Sequence, residues 1–120
     1  MSKQLHYSLL RYSPSVRFED SIVLGILFHE KEQNFRTFTY REDLSPLCAL
    51  SPDADINIHK KLFVGIKEEV ESEIYSKKEF DIKEYTQFYL NSYRFAEPVS
   101  IQYEDLQKTV ASITKEFLTR

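Results

Sequence analysis

The sequence has little of what usually marks a nucleotide-binding, metal-binding or membrane-spanning protein. Only 2 of its 120 residues are glycine, and neither GxGxxG nor GxxxxGK(S/T) phosphate-binding loops occur. A single cysteine, Cys48, excludes an internal disulfide and any paired-cysteine zinc motif. The longest apolar run, residues 22–28, is far too short to cross a bilayer. We therefore expect no cofactor, no bound metal and no membrane contact.

The start of the chain and its cysteine both indicate a reducing compartment. Residues 1–6 (MSKQLH) have no apolar signal-peptide core. Cys48 lies in the apolar stretch LCAL, which is typical of a buried, inert thiol. The expected location is the cytoplasm.

Neither sign of charge dominates the sequence. Sixteen Lys and Arg against 19 Asp and Glu give a net charge of -3 at pH 7, which excludes a generally basic nucleic-acid-binding protein. The charge is uneven, since residues 1–41 hold six basic and four acidic side chains and residues 42–120 hold ten basic and fifteen acidic. A local basic patch near the N-terminus therefore remains open.

The composition is that of one globular domain. Hydrophobic residues make up 42% of the chain and charged residues 29%, which excludes a disordered or low-complexity segment. The 9 Phe and 8 Tyr predict an aromatic core despite the absence of Trp. We predict a single domain over residues 1–120.

Three apolar or aromatic segments near the start predict β-strands over residues 4–12, 21–28 and 35–41. The polar stretch 29–34 is short enough to join the last two as an antiparallel hairpin. Neither face of the first strand is wholly polar, which predicts that it is central or covered on both sides. Gly25 predicts a bulge or a close backbone approach.

The remainder of the chain predicts three helices. The first starts near Asp55 and runs to about Lys78, the second opens with the capping box of Asp81 and Glu84, and the third is capped by Asp105. Their predicted buried faces are Ile58, Leu62, Ile66, Val70 and Ile74; Ile82, Tyr85, Phe88 and Tyr89; and Leu106, Val110, Ile113 and Phe117.

Residues 93–101 predict a further strand that Pro98 interrupts, and a proline confines such a strand to an edge. The resulting fold is α+β. It consists of an N-terminal antiparallel β-meander of three strands, a later edge strand, and about three helices packed on one sheet face.

No set of residues predicts a catalytic or metal centre. His6, His29 and His59 fall in a strand, a turn and a helix, and no serine lies in a nucleophile elbow. Asp53 and Asp55 resemble a metal-binding DxD pair, but acidic residues at a helix start are far commoner. We assign no catalytic residue and no metal ligand, and expect a protein that is not an enzyme.

Four residues form the candidate anion-binding or partner-binding site. Arg11, Arg17 and Arg94 can gather near the sheet, where guanidinium groups bind phosphates or carboxylates, and Glu19 lies beside them in the sequence. The competing interpretation pairs Arg11 with Glu19 or Asp20 across the first turn.

Two alternative functions stay open from the residues alone. Arginines and aromatic residues alternate on the predicted strands, as in sheets that stack single-stranded bases, although core packing also explains the aromatic residues. A small nuclease or phosphodiesterase-like enzyme that uses Arg11 and Glu19 is the other alternative.

Several motifs occur in the same order as in a known family. Residues 7–14 (YSLLRYSP), then Arg17 and Glu19, then residues 23–28 (VLGILF) resemble the opening of the bacterial family called domain of unknown function 3037. Residues 47–55 (LCALSPDAD) are similar to the start of that family's long helix. The resemblance spans nearly the whole chain and is firmest over residues 7–70. Val23 stands where the family usually has an asparagine, which removes any polar role at that position.

This resemblance implies a function by association. Members of the family accompany HipA-like kinases, which implies a small accessory or regulatory protein of a kinase-type toxin or of another bacterial defence system. The predicted function is therefore a non-catalytic module that binds a protein partner. Two candidate surfaces are the Lys/Glu side of the long helix and the edge strand near Pro98. A homo-oligomer is also compatible with the sequence.

Overall fold

A computed structural model describes residues 3–13, 21–52, 55–72, 81–87, 89–90 and 93–118. These residues form the strands β1 (Gln4–Tyr12), β2 (Ile22–Glu30), β3 (Phe35–Tyr40), β4 (Tyr89–Leu90), β5 (Tyr93–Phe95) and β6 (Val99–Gln102). They also form the helices α1 (Ser45–Leu50), α2 (Ile56–Val70), α3 (Ile82–Tyr85) and α4 (Leu106–Leu118). The α+β class and the N-terminal antiparallel meander are confirmed.

Strand β1 lies at the centre of the sheet, as its sequence predicts. The strand order is β3-β2-β1-β5-β4, and β6 also pairs with β1. Strands β5 and β6 are antiparallel to β1, with β5 opposite the end of β1 and β6 opposite its beginning. Pro98 lies between them, and the strand predicted over residues 93–101 is therefore two strands.

Helices cover both faces of the sheet. On one face Leu10 and Leu27 belong to a core cluster that also holds residues of α1, α2 and α3, such as Phe63. On the other face Leu5 and Ile26 belong to a cluster completed by residues of α4. The expectation that all the predicted helices pack on one face was therefore wrong for the C-terminal helix. Both faces of β1 and β2 carry apolar side chains, and each face must therefore be buried under a separate layer of helices.

On each face of the sheet, one arginine binds the C-terminal carbonyl oxygens of the helix that packs there. On the α4 side, Arg41 donates from Nη1 to the carbonyl oxygen of Leu118 at 2.8 Å and from Nε to that of Val23 at 2.8 Å. On the α2 side, Arg36 donates from Nε to the carbonyl oxygen of Val70 at 3.0 Å. A cation at a helix C-terminus satisfies exposed carbonyls and complements the helix dipole.

The helices begin where the sequence predicts. Asp55 accepts a hydrogen bond from the Asn57 backbone N–H, and Asp81 accepts one from that of Lys83, each at 3.0 Å. Asp105 caps α4 in the same way. Of the proposed DxD pair, Asp55 is thus a helix cap, and Asp53 lies outside the described residues.

Two predictions about buried side chains were wrong. Ile58 is 64% exposed, because the buried stripe of α2 is centred on Phe63, Ile66 and Val70. Cys48 is exposed, since α1 turns the preceding residue, Leu47, into the core.

The second predicted helix is shorter than its pattern indicates. It ends at Tyr85, and Tyr89 lies in strand β4 instead of on a buried helix face. The first predicted helix is also shorter, because it ends at Val70 with Glu71 as its C-cap and does not continue to about Lys78. Phe88, Ile74 and Lys78 themselves lie outside the described residues.

Gly25 confirms both of its predicted roles. The register of β1 against β2 shifts between Leu10 and Arg11, next to the pair that Leu10 forms with Gly25. The fully buried ring of Phe38 occupies the space where a side chain at position 25 would lie. The absence of a Cβ therefore lets an aromatic residue of β3 lie flat across β2.

We predict that Gly25→Ala destabilises the fold by about 1–3 kcal/mol, because the new methyl group overlaps the Phe38 ring. Phe38→Leu replaces that ring with a shorter aliphatic side chain, and in this background Gly25→Ala is expected to cost less stability. Urea unfolding of the two single variants and the double variant measures the coupling between the sites. Strictly additive losses would contradict the proposed steric conflict.

Candidate functional site

The structure places two of the four candidate site residues side by side. Arg11 on β1 lies directly opposite Arg94 on β5. Arg11 is half-buried and its Nη1 donates to the Ser21 hydroxyl at 3.5 Å, while Arg94 is exposed. Arg17 and Glu19 lie outside the described residues. The four-residue site therefore stays a prediction, with two members shown to be neighbours.

Most aromatic residues of the same strands pack in the hydrophobic core. Tyr12, Phe38, Tyr93 and Phe95 are buried, and Tyr7, Phe35 and Tyr40 are half-buried. The arginines of the predicted alternating pattern are Arg11, Arg36, Arg41 and Arg94, and two of them, Arg36 and Arg41, bind backbone carbonyls. Stacking of bases requires exposed ring faces, and none of these described rings is fully exposed.

The edge strand near Pro98 offers a different kind of site. On the far side of β1 from β2, strand β4 lies outside β5, but no strand among the described residues lies outside β6. Three of its four residues, including Val99, are exposed. Unpaired backbone at a sheet edge is a template for another strand.

The register identifies which backbone groups face outward. The Tyr103 N–H donates to the Lys3 carbonyl oxygen at 3.2 Å, one step beyond the last ladder pair. Hydrogen-bonded pairs alternate along an antiparallel ladder. The N–H and C=O groups of Ser100 and Gln102 therefore point away from β1, and we call these groups the β6 edge. Pro98 falls at an outward position too, where its missing N–H costs no ladder bond.

A cleft of about 1210 Å³ runs beside the β6 edge. It lies between the start of β1, the segment before β6 and helix α3, and its lining includes His6, Lys31, Lys83, Glu97 and Ser100. Both signs of charge are present at its rim. A strand added at the β6 edge would direct alternate side chains into this cleft, since successive side chains leave a strand on opposite faces.

A row of polar side chains crosses the sheet at the cleft. Ser100, His6, His29 and Arg36 are successive register partners on β6, β1, β2 and β3. Burial, followed by the nearby charges of Lys31 and Arg36 and the His6 ring, lowers the pKa of His29 to about 4. Burial is also the main reason that the pKa of His6 is lowered. Both imidazoles are consequently neutral at pH 7.

The third histidine holds α2 against the sheet. His59 Nδ1 and the Tyr93 hydroxyl lie 2.5 Å apart, and both rings contact the ring of Tyr12. Burial lowers the pKa of His59 and raises that of Tyr93. The three rings connect α2, β5 and β1, and no local sequence pattern indicates this contact because its members are far apart in the chain.

The described residues contain no group of three or more His, Cys, Asp and Glu side chains arranged to hold a metal ion. No helix in the described part of the chain is long and apolar enough to cross a membrane. Comparison of the chain with family models, with curated proteins and with solved structures found no match.

We predict that His29 makes the fold sensitive to mild acid. Its pKa of about 4 in the folded protein lies below the ordinary 6.5, so the unfolded chain gains the proton first as the pH falls. The stabilisation is complete above pH 6.5 and decreases toward pH 4, with a loss of about 2 kcal/mol by pH 5.

Urea unfolding at pH 7.5 and pH 5.0 tests this prediction. His29→Gln, which does not titrate, is expected to lose less stability than the parent protein over this interval. The same pH dependence in both proteins would assign the acid sensitivity to other groups.

Proposed function

We propose that the protein is a non-catalytic binding module that pairs the β6 edge with an extended segment of a protein partner. The observation that carries this proposal is the outward backbone of Ser100 and Gln102, beside which no strand lies among the described residues. Backbone hydrogen bonds supply affinity in such strand addition, and pockets for alternate side chains supply specificity. The neighbouring cleft provides such a pocket.

The chemistry of the cleft favours a polypeptide of mixed character. Lys31 and Lys83 suit acidic side chains, and Glu97 suits a basic one, while Ala96 and Pro98 offer apolar surface. A peptide presents all of these along one extended chain.

The identity of the partner rests on the sequence resemblance. Members of the family that the sequence resembles accompany HipA-like kinases. We therefore propose that the partner is a kinase-type toxin or another component of a bacterial defence system, and that both act in the cytoplasm. The module would complete or restrain the activity of that partner and carry no chemistry of its own. The arginine pair formed by Arg11 and Arg94 lies on the sheet face opposite the cleft and is a second contact point for acidic groups of the partner.

We predict that Ser100→Pro and Gln102→Pro abolish binding of the partner. Each removes an outward N–H and leaves the bonds between β6 and β1 in place, which is where an edge strand tolerates proline. Tagged parent protein is expected to capture one protein in equal amounts from the native host, and mass spectrometry of the complex tests whether it is a HipA-like kinase.

Ser100→Ala and Gln102→Ala are the matched controls, because they change the side chain and keep the backbone N–H. They are expected to bind the partner as the parent does, and circular dichroism verifies that all four variants fold. Equal capture by the proline and alanine variants would exclude strand addition at the β6 edge. Recovery of chaperones alone would argue against a protein partner.

A further inference from the structure

The solvent-facing side of α2 is a surface that the proposed strand addition does not use. We call it the α2 outer face. Its residues are Ile58, Lys60, Lys61, Val64, Gly65, Glu68 and Glu69.

The α2 outer face exposes apolar side chains and an open backbone position. Ile58 is 64% exposed and Val64 is 42% exposed. A Cβ built on Gly65 would meet no atom within 4 Å. Two shallow depressions of about 560 and 520 Å³ flank the helix, and Lys61 and Gly65 line both of them. Glycine costs helix stability, and here it leaves space for another backbone to approach.

The charged residues of the α2 outer face are ordered so that two antiparallel copies of the helix would place opposite charges together. Lys60 and Lys61 lie about one turn before Gly65, and Glu68 and Glu69 lie about one turn after it. Lys61 and Glu69 are each four residues from Gly65, which is about 6 Å along the axis. A twofold axis through Gly65 would therefore bring Lys61 of each copy opposite Glu69 of the other.

Among the described residues, no ion pair engages the charged groups of the α2 outer face. Within the described residues, the ion pair on this helix joins Lys67 and Glu71 at 2.8 Å, and both of these lie outside the α2 outer face. Antiparallel helices also align their dipoles favourably.

We propose that a second copy of this chain docks on the α2 outer face, with the two α2 helices antiparallel and crossing at Gly65. The interface is isologous, since the same residues of both copies form it. Val64 of one copy packs beside Gly65 of the other, Ile58 lies near the C-terminal end of the other α2, and the lysine and glutamate pairs fix the direction. A 15-residue helix is about 22 Å long, so the contact is small and the dimer is expected to dissociate in the micromolar range.

Charge reversal tests the proposed arrangement through sedimentation velocity over a range of protein concentrations. Lys61→Glu and Glu69→Lys are each expected to weaken dimerisation at least tenfold, because each places like charges together at two symmetric contacts. The double variant, which restores opposite charges at both contacts, is expected to regain the parent dissociation constant within about threefold.

Mixing the two single variants gives an independent readout. One chain then carries Glu at positions 61 and 69 and the other carries Lys at both, so the proposed geometry predicts a heterodimer from two chains that do not self-associate.

Gly65→Gln is expected to prevent dimerisation and to raise the stability of the monomer, because a good helix former replaces glycine. Ala111→Gln, on the exposed face of α4, is the matched control.

A parent protein that stays monomeric at the highest attainable concentration would overturn the proposal. Dimerisation that is unaffected by the charge reversals, or that the double variant does not restore, would overturn it as well. Ser100→Pro is expected to leave the dimer unchanged, which separates this surface from the β6 edge. Failure of either proposal therefore leaves the other standing.

Discussion

The fold depends on a central strand that is apolar on both faces. Leu10 and Tyr12 of β1 face the cluster formed with α2, and Leu5 and Leu9 face the cluster formed with α4. Burial of apolar surface is the main stabilising term in a domain of this size, and one helical layer cannot supply it for two apolar faces. The need to cover β1 twice therefore determines the layered arrangement of helix, sheet and helix.

The positions of the candidate surfaces follow from how β1 is flanked. On one side it pairs with β2 along nearly its whole length, and on the other it is shared by β5 and β6. Because Pro98 separates those two short strands, β4 extends the sheet only beside β5, which leaves the backbone of Ser100 and Gln102 outward. A cleft of about 1210 Å³ lies at the same place.

The polar side chains that could have performed chemistry mostly serve the architecture. Arg36 and Arg41 bind helix C-termini, and Asp55 and Asp81 cap helix N-termini. Glu30, which is 1% exposed, accepts backbone hydrogen bonds that close the turn between β2 and β3. Among the described residues, the β6 edge offers outward backbone groups and the α2 outer face offers the apolar side chains of Ile58 and Val64.

Local patterns in the sequence determined the strands of the meander, the helix caps and the edge position of Pro98, since each depends on residues close together in the chain. They also predicted a bulge or a close backbone approach at Gly25. Tertiary contacts decided the rest: the buried direction of α2 left Ile58 exposed, α4 took the opposite face, and register brought Arg11 beside Arg94. These outcomes depend on which distant segments meet, and the short-range periodicity of a single chain carries no record of that choice.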